Sequence, residues 1–152
     1  MINSQITDRL TGHIANMPGR FTTIPEERRL HPPAPGKWSP QEILGHLIDS
    51  ALNNLRRFTE IQFLPQPFTV VGYQQDNLVM VNRYQQLPAE HLLALWQHLN
   101  RQIIYVAQNI PDEKLAYTVI ISSTGEAKTL EWLIVDYVEH MEHHFRQIFQ
   151  AD

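Results

Sequence analysis

Cysteine is absent from the 152 residues of this chain. Disulfide frameworks, zinc ribbons, iron–sulfur clusters and a cysteine nucleophile are therefore excluded, and any thiol chemistry must draw its sulfur from a substrate. An excess of basic charge is missing too: 12 lysines and arginines against 16 acidic residues leave a net charge of −4 with histidine neutral. A non-specific nucleic-acid grip needs a basic surface, so Arg28-Arg29 and Arg56-Arg57 read as solvated or ion-paired and no nucleic-acid partner is expected. No apolar run approaches the roughly 20 residues that cross a bilayer, and no membrane partner is expected either. The opening Met1 to Leu10 lacks the basic region and apolar stretch of a signal peptide. The cytoplasm is the expected location. Internal repeats and low-complexity tracts are also lacking.

What remains is an ordinary globular composition, 43% hydrophobic and 18% charged, long enough for one domain over residues 1–152 with its own core. Ile6, Leu10, Ile14 and Met17 fall at helical spacing in a first segment from about Asn3 to Asn16, which Pro18-Gly19 is expected to stop. A proline-rich stretch follows, with Pro25, Pro32, Pro33, Pro35 and, just beyond, Pro40. It allows a short helical turn over Glu26 to Leu30 and no more. Trp38 at its end should hold it against the body.

The second long helix starts at a capping box, Ser39-Pro40-Gln41-Glu42, with serine at the N-cap and glutamate three positions later. Ile43, Leu44, Leu47, Ile48, Ala51, Leu55 and Phe58 form its apolar stripe, and His46, Ser50, Asn53, Asn54 and Arg57 line one polar edge. Phe68 to Gly72 reads as an extended connection. A short helix is predicted over Asn77 to Gln85, then a longer one entered through Pro88 and ended by Pro111. Tyr117 to Ile121 favours strand but shows no partner, so it reads as an extended loop, or else as half of a small hairpin. The last helix begins near Thr129. Four long amphipathic segments joined by long loops make an all-α four-helix bundle, with loops long enough for crossover connections.

The chemistry concentrates in histidine. His140 and His144 lie four apart and project from one face of the last helix, and neutral imidazole is the commonest ligand for a first-row divalent metal. At 100° per residue, both sit at the edge of a stripe formed by Leu130, Ile134, Tyr137, Val138, Met141, Phe145 and Ile148. His143 falls opposite it and should face solvent. A third ligand must come from elsewhere, and His46, flanking the stripe of the second helix, is the best candidate. Three ligands at a bundle's mouth leave a position open, which is the catalytic pattern; closed structural sites use four. Asp49 or Asp136 could orient an imidazole from behind. Met141 occupies the glutamate position of HExxH, so a zinc protease is not indicated. Glu139 and Glu142 point away, and no general base stands out. His13, His31, His91 and His98 have weaker claims as ligands; His91 and His98, seven apart on one helix, read as surface or interhelical hydrogen-bonding residues, and Trp38, Trp96 and Trp132 as packing.

The segments Gly36-Lys37-Trp38-Ser39-Pro40-Gln41-Glu42-Ile43-Leu44-Gly45-His46-Leu47-Ile48-Asp49-Ser50, Thr129-Leu130-Glu131-Trp132 and His140-Met141-Glu142-His143-His144-Phe145-Arg146-Gln147-Ile148 resemble the DinB-like superfamily, particularly its YfiT-like branch. The resemblance runs over most of the chain. It implies a four-helix bundle of that type holding a divalent ion, nickel or zinc, on three histidines, which here are His46, His140 and His144. It further implies a metal-dependent hydrolase or a transferase of low-molecular-weight thiols, acting on a small-molecule substrate with a thiol cosubstrate in the second case. Asn53, Asn54 and Arg57 could bind a polar or anionic cosubstrate. Two other readings stand beside the enzyme. One is a non-catalytic metal or small-ligand binding module of a stress response. The other has the histidines supporting a homodimer.

Overall fold

The computed structural model describes Ile2 and residues 4–150. Eleven elements follow one another: α1 (Ser4–Thr22), α2 (Glu26–Arg29), α3 (Pro40–Glu60), β1 (Phe68–Val70), α4 (Gln75–Asn82), a 3₁₀ turn (Tyr84–Gln86), α5 (Ala89–Gln108), α6 (Asp112–Leu115), β2 (Thr118–Ile121), β3 (Ala127–Thr129) and α7 (Leu130–Ile148). The start expected near Asn3 lies outside the described residues. The four long helices, α1, α3, α5 and α7, form a four-helix bundle around a continuous apolar core that includes Phe21, Leu44, Ile48, Phe58, Trp96 and Ile134.

Local chemistry sets the ends of the two helices that matter most for function. The Ser39 side chain accepts from the Glu42 amide, and Glu42 Oε1 accepts from the Ser39 amide at 3.0 Å, so the capping box is complete. Thr129 caps α7 by accepting from the Trp132 amide at 3.1 Å. The stripes then face inward as their periodicity demands. Leu130, Ile134, Tyr137, Val138, Met141, Phe145 and Ile148 are all buried.

The first helix corrects the expectation that Pro18-Gly19 ends it, because α1 continues to Thr22 with Pro18 inside. Proline at 18 cannot donate to the Ile14 carbonyl. That carbonyl instead accepts from Gln97 Nε2 on α5 at 3.1 Å. Met17 and Phe21, both buried, anchor the last turn through the core. Gln97→Ala should therefore lower stability by about 1 kcal/mol in urea unfolding. In a Pro18→Ala background the same change should cost nearly nothing, because residue 18 would then donate to Ile14 itself.

Tertiary contacts also fix the order of the helices. α3 packs against α5 and α7, and α1 packs against α5 and α7, which makes α1 and α3 diagonal partners. Arg9 meets Glu142 and Arg20 lies over Phe149, so α1 runs parallel to α7. His46 meets His144 while Phe58 meets Tyr137, so α3 runs antiparallel to α7. Trp96 lies against Phe145 and Asn100 accepts from the Tyr137 hydroxyl, so α5 is antiparallel to α7 as well. Consecutive helices α3 and α5 are thus parallel, and the segment 61–88 must cross the length of the bundle. The direction pattern is up, down, down, up.

Thr118–Ile121 is a strand and not an extended loop, and its antiparallel pairing with the next element, β3, is the small hairpin that the segment also allowed. β2 pairs in parallel with β1, Thr69 opposite Ile120, and antiparallel with β3, Val119 opposite Lys128. The three-stranded sheet joins the crossover to the start of α7. Its parallel partner is about fifty positions away in sequence, so no local turn signal announces it. Among the described residues, no helix is long and apolar enough to cross a membrane.

Candidate metal centre

The antiparallel pairing of α3 with α7 brings His46 beside His140 and His144. Each offers one ring nitrogen, and these atoms lie within 4.8 Å of one another. The His140 and His144 Nε2 atoms are 3.1 Å apart. Ring centroids separate by 5.5 Å for His46–His140, 4.6 Å for His46–His144 and 4.5 Å for His140–His144. Among the described residues, this is the one such grouping. His143 is exposed, as the helix phase requires.

His46 differs from the edge position its periodicity suggests, since it is fully buried. The reason lies outside its helix. The proline-rich segment lays Trp38 over it, ring centroids 4.8 Å apart. Both His46 ring nitrogens are buried without a hydrogen-bond partner. A buried unsatisfied polar group costs about 1–3 kcal/mol, so a fully packed imidazole with two free nitrogens has to be explained by something the ring is kept for. Three imidazoles with converging nitrogens fit a divalent ion of the zinc or nickel kind.

Electrostatics favour the form a metal needs. Burial, with repulsion from His144 and His140, holds the His46 pKa down to about 3. Burial likewise lowers His144 to about 4, against the Gln147 hydrogen bond that raises it. His140 is pushed below the ordinary value by burial and by His143. All three rings are neutral near pH 7. Gln147 Oε1 lies 2.8 Å from His144 Nδ1. Gln147 is thereby placed to accept from Nδ1–H and leave Nε2 its lone pair. The i, i+3 spacing of His144 and Gln147 is the sequence signal for this contact.

The two carboxylates expected behind the imidazoles do other things. Asp49 Oδ1 accepts from the Tyr84 hydroxyl at 2.5 Å, and its Oδ2 is buried without a partner. No hydrogen bond joins Asp136 to His140 among the described residues; Asp136 lines a cavity beside it. Glu142 is turned away, held by Arg9 at 2.5 Å and by His13 at 2.8 Å. Asn53 donates to the Asp49 carbonyl at 2.9 Å and stays out of the cavities, whereas Asn54 and Arg57 line one. His91 and His98 are exposed, and His31 Nδ1 pairs with the Glu27 carbonyl. Trp96 is core, but Trp132 is 37% exposed and borders the same cavity as Asn54.

Two cavities border the histidine cluster. A larger one, ≈ 940 Å³, reaches His144 between the proline-rich segment, Trp38 and Gln147, and includes Arg28 and Lys37. A smaller one, ≈ 350 Å³, reaches His140 and is walled by α3, α7 and the sheet. His46, fully buried, lines neither of them.

These features agree with what similar structures show of the fold. YfiT from Bacillus subtilis, described as a probable metal-dependent hydrolase with an unusual four-helix bundle topology, superposes with a TM-score of 0.80 at 20% identity, over 97% of this chain and 86% of that one. A DinB-like protein of Bacillus subtilis, YjoA, gives 0.64 at 16% identity, covering 95% of this chain and 87% of its own. A mycothiol-dependent maleylpyruvate isomerase gives 0.67 at 9% identity over 93% of this chain, which spans only 59% of that protein. A search of curated proteins finds no match. The sequence itself matches the DinB superfamily across residues 9–148, and the chain belongs to that superfamily.

Proposed function

We propose that this protein is a metal-dependent enzyme acting on a small molecule, with His46, His140 and His144 as the ligands of a divalent ion, nickel or zinc. The observation that carries the reading is His46: fully buried, with both nitrogens unpartnered and two further imidazoles converging on it. A divalent ion held there supplies Lewis-acid activation of water or of a thiol. Trp38 excludes solvent from one side of His46, and Gln147 fixes the His144 ring. Asp136, on the wall of the smaller cavity next to His140, is the carboxylate available to take up a proton there.

Hydrolysis and thiol transfer differ in how many molecules must be held. Water needs no cavity of its own, and here two separate cavities border the cluster, the larger at His144 and the smaller at His140. That arrangement favours transfer of a low-molecular-weight thiol, with the thiol in the larger cavity and its electrophilic partner in the smaller. The similarity of fold to a protein described as a probable metal-dependent hydrolase and to a mycothiol-dependent isomerase supports an enzyme acting on a small molecule. Protein loaded with zinc or nickel should be mixed with glutathione and 1-chloro-2,4-dinitrobenzene, and separately with p-nitrophenyl acetate. The first pair should turn over at least ~10²-fold faster with wild type than with His46→Ala, the scale of a lost Lewis acid. Faster cleavage of the ester alone would favour hydrolysis. Equal rates for wild type and His46→Ala on both would refute catalysis and leave a binding protein.

A further inference from the structure

The smaller cavity contains a cation, Arg57, that forms no ion pair among the described residues. It is half-buried on the cavity wall. Its Nη2 donates to the Val71 carbonyl at 2.5 Å, its Nη1 reaches the Asn54 Oδ1 at 3.4 Å, and the guanidinium lies 5.5 Å from the Tyr73 ring centroid. These contacts, all to uncharged groups, aim the guanidinium without pairing its charge. Burial accordingly pushes the Arg57 pKa below its ordinary value. Asn54 is itself fixed, donating to the Ser50 carbonyl at 2.8 Å. Ser50, Tyr73, Ser122 and Ser123 add hydroxyls around the same space.

We propose that this cavity is a carboxylate-binding subsite, in which Arg57 holds the anionic end of a small substrate whose other end lies at His140. As part of an active site it rests on the metal reading above; as a binding site it stands by itself. The placement suits the role. Arg57 and His140 both line this one cavity, with Asn54, which Arg57 reaches, on the same wall. A small molecule can bridge the two within ≈ 350 Å³. A planar, forked guanidinium matches a carboxylate in two parallel hydrogen bonds. Asp136 on the opposite wall would repel the second charge of a phosphate, which favours the singly charged carboxylate.

Benzoate and its neutral isostere benzamide separate charge recognition from shape. Titrated into metal-free and zinc-loaded protein and followed by amide NMR, benzoate should shift the signals of Tyr73 and Ser123 in both forms. Benzamide should bind at least ~10-fold more weakly, the usual scale for losing a charged hydrogen bond. Arg57→Gln should abolish the preference, and Arg57→Lys should keep part of it. Benzoate binding only to zinc-loaded protein would mean that it ligates the ion and would overturn the subsite. Shifts confined to the proline-rich segment, no binding, or undiminished preference in Arg57→Gln would overturn it too. Failure of the protein to retain zinc would refute the metal reading while leaving benzoate binding to metal-free protein intact.

Discussion

Wild-type protein incubated with zinc or nickel and then desalted should retain about one ion per chain, and His46→Ala should retain almost none. Loss of a group that merely orients a ligand weakens metal binding by about 10–100-fold, and loss of one of three direct ligands should exceed that. His140→Ala and His144→Ala should behave alike. His143→Ala should bind normally, since His143 is exposed although its ring lies only 5.4 Å from that of His144. Metal content by elemental analysis checks all four. Normal retention by His46→Ala, or loss in His143→Ala, would show that the converging rings are not the ligands.

The same residue makes a second readout available. At a metal concentration about 100 times Kd, binding adds about 2.7 kcal/mol of stability. For a chain of this size that raises the melting temperature by roughly 5–10 °C. His46→Leu should lose this increment. Without metal, however, His46→Leu should be at least as stable as wild type, because it removes two buried nitrogens that have no partner. Such a crossing of stabilities marks a residue retained for function at the expense of the fold.

Gly45→Ala should be severely destabilising, although alanine is the better helix former. A Cβ at position 45 would meet Tyr84 Cδ2 at 2.2 Å, Cγ at 2.3 Å and Cβ at 2.7 Å. Tyr84 has little room to yield. Its hydroxyl donates to Asp49, its carbonyl accepts from Gln41 Nε2 at 2.8 Å, and it follows Arg83 in the left-handed region at φ 54°. Overpacking of this kind costs about 3 kcal/mol or more, a fall of roughly 6–12 °C in melting temperature. Because His46 follows directly, metal affinity should fall with it. Tyr84→Ala is destabilising alone, but in the Gly45→Ala background it should cost at least ~1 kcal/mol less. Strict additivity would rule out the clash as the cause.

Much of the candidate site was legible because its parts are local. The HxxxH spacing places His140 and His144 together on any helix, and the capping box fixes where α3 begins and so where His46 points. Gln147 was equally local, three positions after His144. Other features depended on distant chain. Pro18 reads as a helix stop until Gln97 supplies the donor that the Ile14 carbonyl needs. Thr118–Ile121 finds Ala127–Thr129 locally, as half of a hairpin, but its parallel pairing with Phe68–Val70 depends on chain about fifty positions away. Trp132 reads as core by its type, yet the sheet and α7 leave it on a cavity edge.

By itself the sequence determined the helix periods, the capped starts of α3 and α7, the absence of any thiol of its own, and which histidines share a face. These follow from side-chain chemistry and from residues within one or two helical turns of each other. Tertiary structure decided the rest. Crossing the bundle between α3 and α5 sets α3 antiparallel to α7, and only that pairing lets the rings converge. Packing the proline-rich segment over α3 buries His46 under Trp38, and pairing β1 with β2 walls the cavity that holds Arg57. Each of these joins residues many positions apart, where no repeating pattern in a single chain records which surface will cover which.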